Sequence, residues 1–520
     1  MNVADTEVVR AVLQGSGYTV ADTFDAADVV LLNTCAIREN AEAKIWGRLR
    51  QMRAAKRKAA QGWRSRGEAE APRGAVVGLL GCMGERLKGR LLEEDRLVDV
   101  VCGPDAYRSL PRLLARAASG QPALDVALSL EETYADVAPV RQDSDGVSAF
   151  VSIMRGCNNM CSYCIVPHTR GRERSRDADS IAQEVAILAA DGYREVTLLG
   201  QNVNSYADRS GLGGKGEGGS GEDGRGEAGT EETGAAPSLR AGFKPMVPPP
   251  RASLRFAGLM RRLADAHPEV RFRFTSPHPK DFPDELLDVI AQHPNACASL
   301  HIPAQSGSTD VLRSMRRGYS RETYLDLIAR VRELLPHASL SSDFISGFCG
   351  ETEEDHQQTL SLLREVRFDK AFMFAYSMRE KTHAHRKLDD DVEEETKMRR
   401  LREVIDTFNE GARAANEAEV GTHHHVLVDG LSKKSSGEWA GRTETNKRVV
   451  FARRPVSALD AGGSGDGADD AGQVELRAGD FVAVRITEAL SANTLRGEPL
   501  ARCSIEQFAS VSAAGHASWR

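Results

Sequence analysis

Met154-Arg155-Gly156-Cys157-Asn158-Asn159-Met160-Cys161-Ser162-Tyr163-Cys164 is the stretch on which the reading of this chain turns. Its three cysteines are spaced C-x3-C-x2-C, with an aromatic residue before the last. An iron–sulfur cube is normally held by four thiolates. Three leave one iron without a protein ligand, so that a substrate or small cofactor can bind there. A zinc knuckle and three incidental thiols are the other readings. Zinc usually takes four nitrogen or sulfur ligands in paired spacing, and this run lacks that pairing.

Around the run the chain alternates apolar strands with amphipathic helices. Strands are expected at Phe150–Met154, Glu195–Leu199, Arg271–Thr275, Ala298–His301, Ser339–Ile345 and Lys370–Phe374. Helical spacing covers Asp177–Asp191, Phe256–His267, Asp284–His293, Thr309–Met315, Arg321–Leu335 and Glu353–Val366. Alternation of this kind predicts an α/β fold with a parallel sheet, curved into a partial (β/α) barrel of about six strands. The cysteines follow the first strand, which puts them at the barrel's carboxyl-terminal mouth. Upstream, about residues 1–140 read as a separate α/β domain. Thr6–Gly17 and Ile37–Lys58 are expected as helices, Asp28–Asn33 and Ala75–Leu80 as strands. Cys35 and Cys82 each stand just past a strand's carboxyl end, where parallel sheets bind ligands. As lone cysteines they favour a buried structural role. Cys102 reads as a core thiol.

The cysteine run resembles the radical S-adenosylmethionine signature. Leu31-Leu-Asn-Thr-Cys35-Ala-Ile-Arg-Glu-Asn40 and Leu80-Gly-Cys82-Met83 are similar to the amino-terminal domain of the methylthiotransferases. Val166-Pro-His-Thr-Arg170-Gly-Arg-Glu-Arg-Ser-Arg176, Leu199-Gly-Gln-Asn-Val203, His301-Ile-Pro-Ala-Gln-Ser-Gly307 and Asp343-Phe-Ile-Ser-Gly-Phe-Cys-Gly-Glu-Thr352 resemble their catalytic core. The nearest branch is the MiaB type, and Gly103-Pro-Asp-Ala-Tyr-Arg108 resembles its eukaryotic organellar members. Gly430-Leu-Ser-Lys-Lys434, Gly441-Arg-Thr-Glu444, Gly479-Asp-Phe-Val482 and Thr494-Leu-Arg-Gly497 resemble the TRAM domain, a small RNA-binding β-barrel.

The resemblance implies a transferase that converts N6-isopentenyl-adenosine, next to the tRNA anticodon, to its 2-methylthio derivative. It implies a [4Fe-4S] cluster on Cys157, Cys161 and Cys164, with S-adenosylmethionine on the open iron. It also implies a second, auxiliary [4Fe-4S] cluster near Cys35 and Cys82 that provides the sulfur, and an electron donor. The target carbon bears no acidic proton, so acid–base catalysis cannot activate it and the cofactor must supply radical chemistry. Gln201, Asn202, His301, Gln305 and Asp343 are expected near the cofactor. Arg170, Arg172, Arg174 and Arg176, with Lys433, Lys434 and Arg442, are expected to hold phosphates of the anticodon arm. Other implied targets keep the chemistry: threonylcarbamoyl-adenosine in tRNA, or an aspartate on a ribosomal protein. A non-catalytic protein that binds a kinase activator is the remaining reading, and the intact cysteine triad argues against it.

The implied order is an amino-terminal domain at 1–140, a radical domain at 143–382 and a connecting helix at 383–417. The TRAM barrel then occupies 418–508. Two Gly-rich insertions, 209–252 and 456–473, are expected as disordered excursions because they cannot bury enough apolar surface to order. Met1-Asn-Val-Ala-Asp5 resembles the stretch that directly follows the family's first auxiliary-cluster cysteine. That cysteine and any targeting segment are therefore expected upstream of Met1, and a mitochondrial or other organellar location is implied, or the cytoplasm if the chain is bacterial.

The 520 residues suit about three domains. No apolar run approaches the ~20 residues of a membrane helix, and a monomer without membrane attachment is expected. Nine cysteines in this length read as cofactor ligands in a reducing compartment, not a disulfide framework. With 68 basic against 75 acidic residues, net −7, RNA contact must come from local patches. One candidate patch is Arg48, Arg50, Arg53, Lys56, Arg57, Lys58, Arg64 and Arg66, with no acid between its ends.

Overall fold

The computed structural model describes residues 1–24, 26–35, 39–64, 75–93, 97–142, 146–210, 241–244, 251–459 and 473–513. Most of the two Gly-rich insertions (211–240, 245–250 and 460–472) lies outside these residues, as does Arg66. The chain forms two compact units. The first comprises Met1–Ser144, Met154–Arg174 and Ser377–Lys387, and the second Asp145–Ile153, Ser175–Tyr376 and Leu388–Arg520.

In the first unit, four parallel strands lie side by side in chain order: Val29–Thr34, Val76–Gly81, Val100–Cys102 and Ala123–Asp125. Successive strand residues face opposite sides of a sheet, and both sides here are apolar. Leu80, Val100 and Cys102 pack with Val8, Val9, Tyr107 and Leu110 from the helices Asn2–Gln14 and Leu110–Ala118 and the turn between the third strand and the latter. Val77, Leu79 and Val101 pack with Leu49 and Met52 of the helix Glu39–Arg64. Cys102 thus sits in the core, and burial pushes its thiol well up. The polar face of Glu39–Arg64 exposes Arg48 and Arg50, while Lys56 pairs with Asp99 at 3.0 Å.

The second unit contains the six expected parallel strands, at Ser148–Ser152, Glu195–Leu199, Arg271–Phe274, Ser299–His301, Ser339–Ser346 and Lys370–Ala375. They form two triplets, joined where Phe272 bridges Ala296 in parallel. The result is an open (β/α) sheet. Two of its helices are capped by side chains: Asp177 accepts from the Ser180 amide, and Thr352 with Asp355 forms a capping box. The long helix Glu394–Glu417 leads into a five-stranded barrel. Its strands are His423–Ser432, Ser435–Thr443, Arg448–Ala452, Phe481–Ser491 and Thr494–Arg502, closed by parallel pairing of the third with the fifth. Val426, Val428, Trp439, Phe451, Val484 and Leu495 fill it.

This barrel packs against the amino-terminal ends of the parallel strands. Arg273 donates to Glu195 at 2.7 Å and to the Thr443 and Glu444 carbonyls, and Arg271 donates to the His425 carbonyl at 2.5 Å. A cavity of about 1400 Å³ lies at the same end, lined in part by Ser339, Asp369, Glu419, His424, Glu444 and Lys447.

Candidate active site

The cysteine loop belongs to the first unit. Gly156 enters it with φ +77°, and a Cβ there would lie 2.0 Å from the Arg172 carbonyl oxygen. Only glycine fits so close an approach. The Cys157 amide then donates to the Gly171 carbonyl at 3.2 Å, folding the loop back on the segment that follows it. The Cys164 amide donates to the Cys161 carbonyl at 3.0 Å, and the Asn159 amide to the Cys157 sulfur at 3.4 Å. Cys157 and Cys161 are buried and Cys164 half-buried. Burial first, then the nearby Cys164 and Cys161 thiols, push the Cys157 thiol well up.

Cys35 and Cys82 are in the same unit. The parallel register pairs Thr34 with Gly81, so each cysteine directly follows one member of a pair on neighbouring strands. Neighbouring strands run ~4.8 Å apart. Cys82 shares a small apolar cluster with Ile165, one residue past Cys164. Arg170 lies 3% exposed and donates from Nε to the Cys82 sulfur at 3.1 Å. Its Nη2 is 2.6 Å from Asp5, which also accepts from Arg155 at 3.0 Å. Burial would raise the Asp5 carboxyl, but Arg170 and Arg155 outweigh it and hold it at about 2. Arg155 lies over the Tyr134 ring and donates to the Pro104 carbonyl, and Arg174 donates to Asp105 at 2.8 Å.

In the second unit, the expected cofactor residues lie toward the carboxyl ends of the strands. His301 ends its strand, its Nδ1 2.9 Å from Ser341 Oγ and its Nε2 3.3 Å from Asp343 Oδ2. Gln305, at φ +73°, donates from its amide to the Asp343 carbonyl and accepts from the Ile345 amide, which extends the sheet edge beyond His301. Gln201 and Asn202 follow Glu195–Leu199. Asn202 is buried and committed to a neighbouring turn: its amide donates to Asp281 at 2.8 Å and accepts from the His278 amide at 3.0 Å. The structure thus brings His301, Gln305 and Asp343 together and uses Asn202 to hold the loop.

Three comparisons bear on this arrangement. Residues 151–363 match the radical SAM superfamily, 1–103 the uncharacterized protein family UPF0004, and 417–500 the TRAM domain. The chain is 50% identical to the mouse mitochondrial tRNA methylthiotransferase CDK5RAP1 over 509 residues, 97% of this chain and 80% of that one. It is 49% identical to the human protein of that name over 523 residues, 97% of this chain and 80% of that one. It is 45% identical to the tRNA-2-methylthio-N6-dimethylallyladenosine synthase of Chloroherpeton thalassium over 500 residues, 96% of this chain and 94% of that one. The chain belongs to the radical SAM methylthiotransferases.

Radical SAM enzymes use an iron–sulfur cluster and S-adenosylmethionine, and the residues of this methylthiotransferase fit that pair. Three cysteines stand in one glycine-hinged loop, in which Asn159 Nδ2 is buried without an acceptor. Near Cys82, Arg170 Nη1 is likewise a buried donor lacking a hydrogen-bond partner.

The arginines expected to hold RNA have other employment here. Arg170, Arg174 and Arg176 are 3%, 6% and 7% exposed. Arg176 pairs with Glu184 at 2.7 Å, and Arg442 with Glu195 at 2.6 Å and Asp429 at 2.9 Å. These four charges are matched by carboxylates of their own unit. Arg172, Lys433 and Lys434 are exposed. Sequence reasoning misses Asp5, Arg155 and Asp105, whose roles appear only once distant segments meet. The Met154-Arg-Gly-Cys157 and Gly103-Pro-Asp105 phrases carry the signal without showing that they pair.

Proposed function

We propose that this chain converts N6-isopentenyl-adenosine, beside the anticodon of tRNA, to its 2-methylthio derivative, and that it works in mitochondria. The observation that carries the reading is the three-sulfur loop within a chain alike over nearly its whole length to enzymes named for this reaction. Cys157, Cys161 and Cys164 would hold the cluster that binds S-adenosylmethionine. Once bound, the pair supplies the homolytic chemistry that an unactivated carbon–hydrogen bond requires.

The chain's own residues position and enclose. Ser341 and Asp343 fix the His301 ring toward the carboxyl ends of the strands, and His301, Gln305 and Gln201 are proposed as contacts for the cofactor. Cys35 and Cys82, side by side at two strand ends, would hold a second cluster as the sulfur source. Arg172, Lys433 and Lys434 would contact RNA phosphates. Reductive cleavage of the sulfonium also needs an external electron donor. The protein is expected to act as a monomer.

The test is nucleoside mass spectrometry of mitochondrial tRNA from a strain lacking its methylthiotransferase and expressing this chain. Recovery of 2-methylthio-isopentenyl-adenosine is expected. Persistence of the unmodified isopentenyl-adenosine, with the protein present and loaded with iron, would overturn the reading.

A further inference from the structure

Arg170 stands where the two cysteine sites meet. It lies six residues after Cys164, yet its Nε donates to the sulfur of Cys82 at 3.1 Å. Its Nη2 is held by Asp5 at 2.6 Å, and Asp5 is itself held by Arg155 at 3.0 Å. The backbone is fixed as well: the Arg170 amide donates to the Val166 carbonyl at 2.8 Å, and its own carbonyl accepts from Arg174 at 3.0 Å. The guanidinium therefore has one orientation, with Nε on the Cys82 sulfur and Nη1 buried and unspent. Burying an arginine this way is costly unless its donors are used. Asp5 alone would neutralise the charge and does not explain the aim at sulfur.

We propose that Arg170 is a positioning residue that holds the Cys82 sulfur in place to act as a ligand beside Cys35. The inference rests on the reading of Cys35 and Cys82 as ligands of a second cluster. A donor on a ligating sulfur orients it and raises the potential of the metal centre, since it stabilises the more negative, reduced state. The arrangement also means that the segment carrying Cys157, Cys161 and Cys164 shapes the second site. Loading of one site is thereby tied to correct folding of the other.

The test uses the full chain in a Cys157→Ala/Cys161→Ala/Cys164→Ala background, which leaves Cys35 and Cys82 as the sulfurs of interest. Two changes are compared with this parent. Arg170→Lys keeps a charge opposite Asp5 but loses the Nε donor. Asp5→Asn/Arg170→Met removes charge and donor together, so that no carboxylate is left buried alone. Circular dichroism selects whichever variants fold. The first readout needs no cluster: apo protein is titrated with phenylarsine oxide, which bridges two adjacent thiols, and the bridged peptides are mapped by mass spectrometry. The second is the reduced fraction of the reconstituted cluster at fixed potential.

Capture of the Cys35–Cys82 pair is expected to weaken about tenfold in either variant. The reduced-to-oxidised ratio is expected to fall about tenfold, equivalent to about 59 mV for one electron. Unchanged capture in a folded variant overturns the proposal, as does a parent that shows no bridging. Capture that depends on Arg170, in a parent that binds no iron, upholds the positioning role and sinks the second-cluster reading instead. Iron bound with a ratio indifferent to Arg170 does the reverse.

Discussion

Arg442 Nη1 lies 2.6 Å from Glu195 Oε1, across 247 residues of chain, and joins the small carboxyl-terminal barrel to the first residue of a sheet strand. Glu195 is fully buried and also accepts from Arg273 at 2.7 Å. Burial would raise its carboxyl, but Arg273 and Arg442 prevail and hold it at about 2. Glu195→Gln should therefore leave Arg273 without its counter-charge and Arg442 with Asp429 alone. Breaking such a buried network costs about 3–5 kcal/mol, which urea unfolding would register as a lower midpoint.

Exposed lysines should behave differently from the engaged arginine. Lys433→Ala/Lys434→Ala is expected to weaken tRNA binding at low salt. It should also make the slope of log K against log salt shallower by about 2, one for each phosphate deprived of its cation. An unchanged slope in a binding titration would remove the hairpin turn from the RNA surface.

Cys161→Ala takes one sulfur from the three-sulfur loop. Iron content should fall, and methylthiolated nucleoside should disappear while tRNA binding stays intact. Iron assay, nucleoside mass spectrometry and a filter-binding titration on the same preparation separate these outcomes.

Gly156→Ala should also empty that loop, although no ligand is touched. The added Cβ would sit 2.0 Å from the Arg172 carbonyl, at a φ of +77° that L side chains rarely adopt. The loop must open to admit it, pulling Cys157 from the Gly171 carbonyl. Iron incorporation near that of the parent protein would contradict this account of the hinge.

His424 predicts a pH dependence. Its Nε2 lies 2.7 Å from Glu419 and its Nδ1 3.0 Å from Glu444. Burial disfavours the charged ring, but Glu444 and Glu419 outweigh burial and push it up to about 10. The folded state thus binds a proton that the unfolded chain releases near 6.5. The stabilisation is complete below that value and is lost as pH rises through about 10. The melting temperature of the wild type minus that of His424→Gln should be largest near pH 6 and shrink steadily toward pH 10.

Much of this is legible in the sequence, for identifiable reasons. The alternation of strand-like segments with helical patterns places all six strands of the open sheet. The first is set two residues late, at Phe150–Met154 against Ser148–Ser152, since Met154 and Arg155 continue the extended chain into the cysteine loop. In the small barrel, the residues predict a strand at Ala501–Cys503 where one runs over Thr494–Arg502. In the fold, Gly497 lets Val484 approach to where a Cβ would stand 2.3 Å away, and Pro499 pairs beside a bulge between Ala483 and Val484. The arginines after the cysteines mislead for a related reason. Their regular spacing suggests one charged face, and nothing local reveals that the buried Asp5 and Asp105 stand opposite Arg170 and Arg174.

The small barrel is keyed to the amino-terminal ends of the parallel strands, whereas His301 and Gln305 stand toward the carboxyl-terminal ends. A five-residue strand spans about 17 Å. Any RNA gripped by the barrel must therefore reach round the full depth of the sheet before a base can enter the mouth. If the barrel grips the phosphates as proposed, the protein would work as a caliper, gauging how far the modified base stands from them, and stem-loops cut too short would be turned away whatever their sequence.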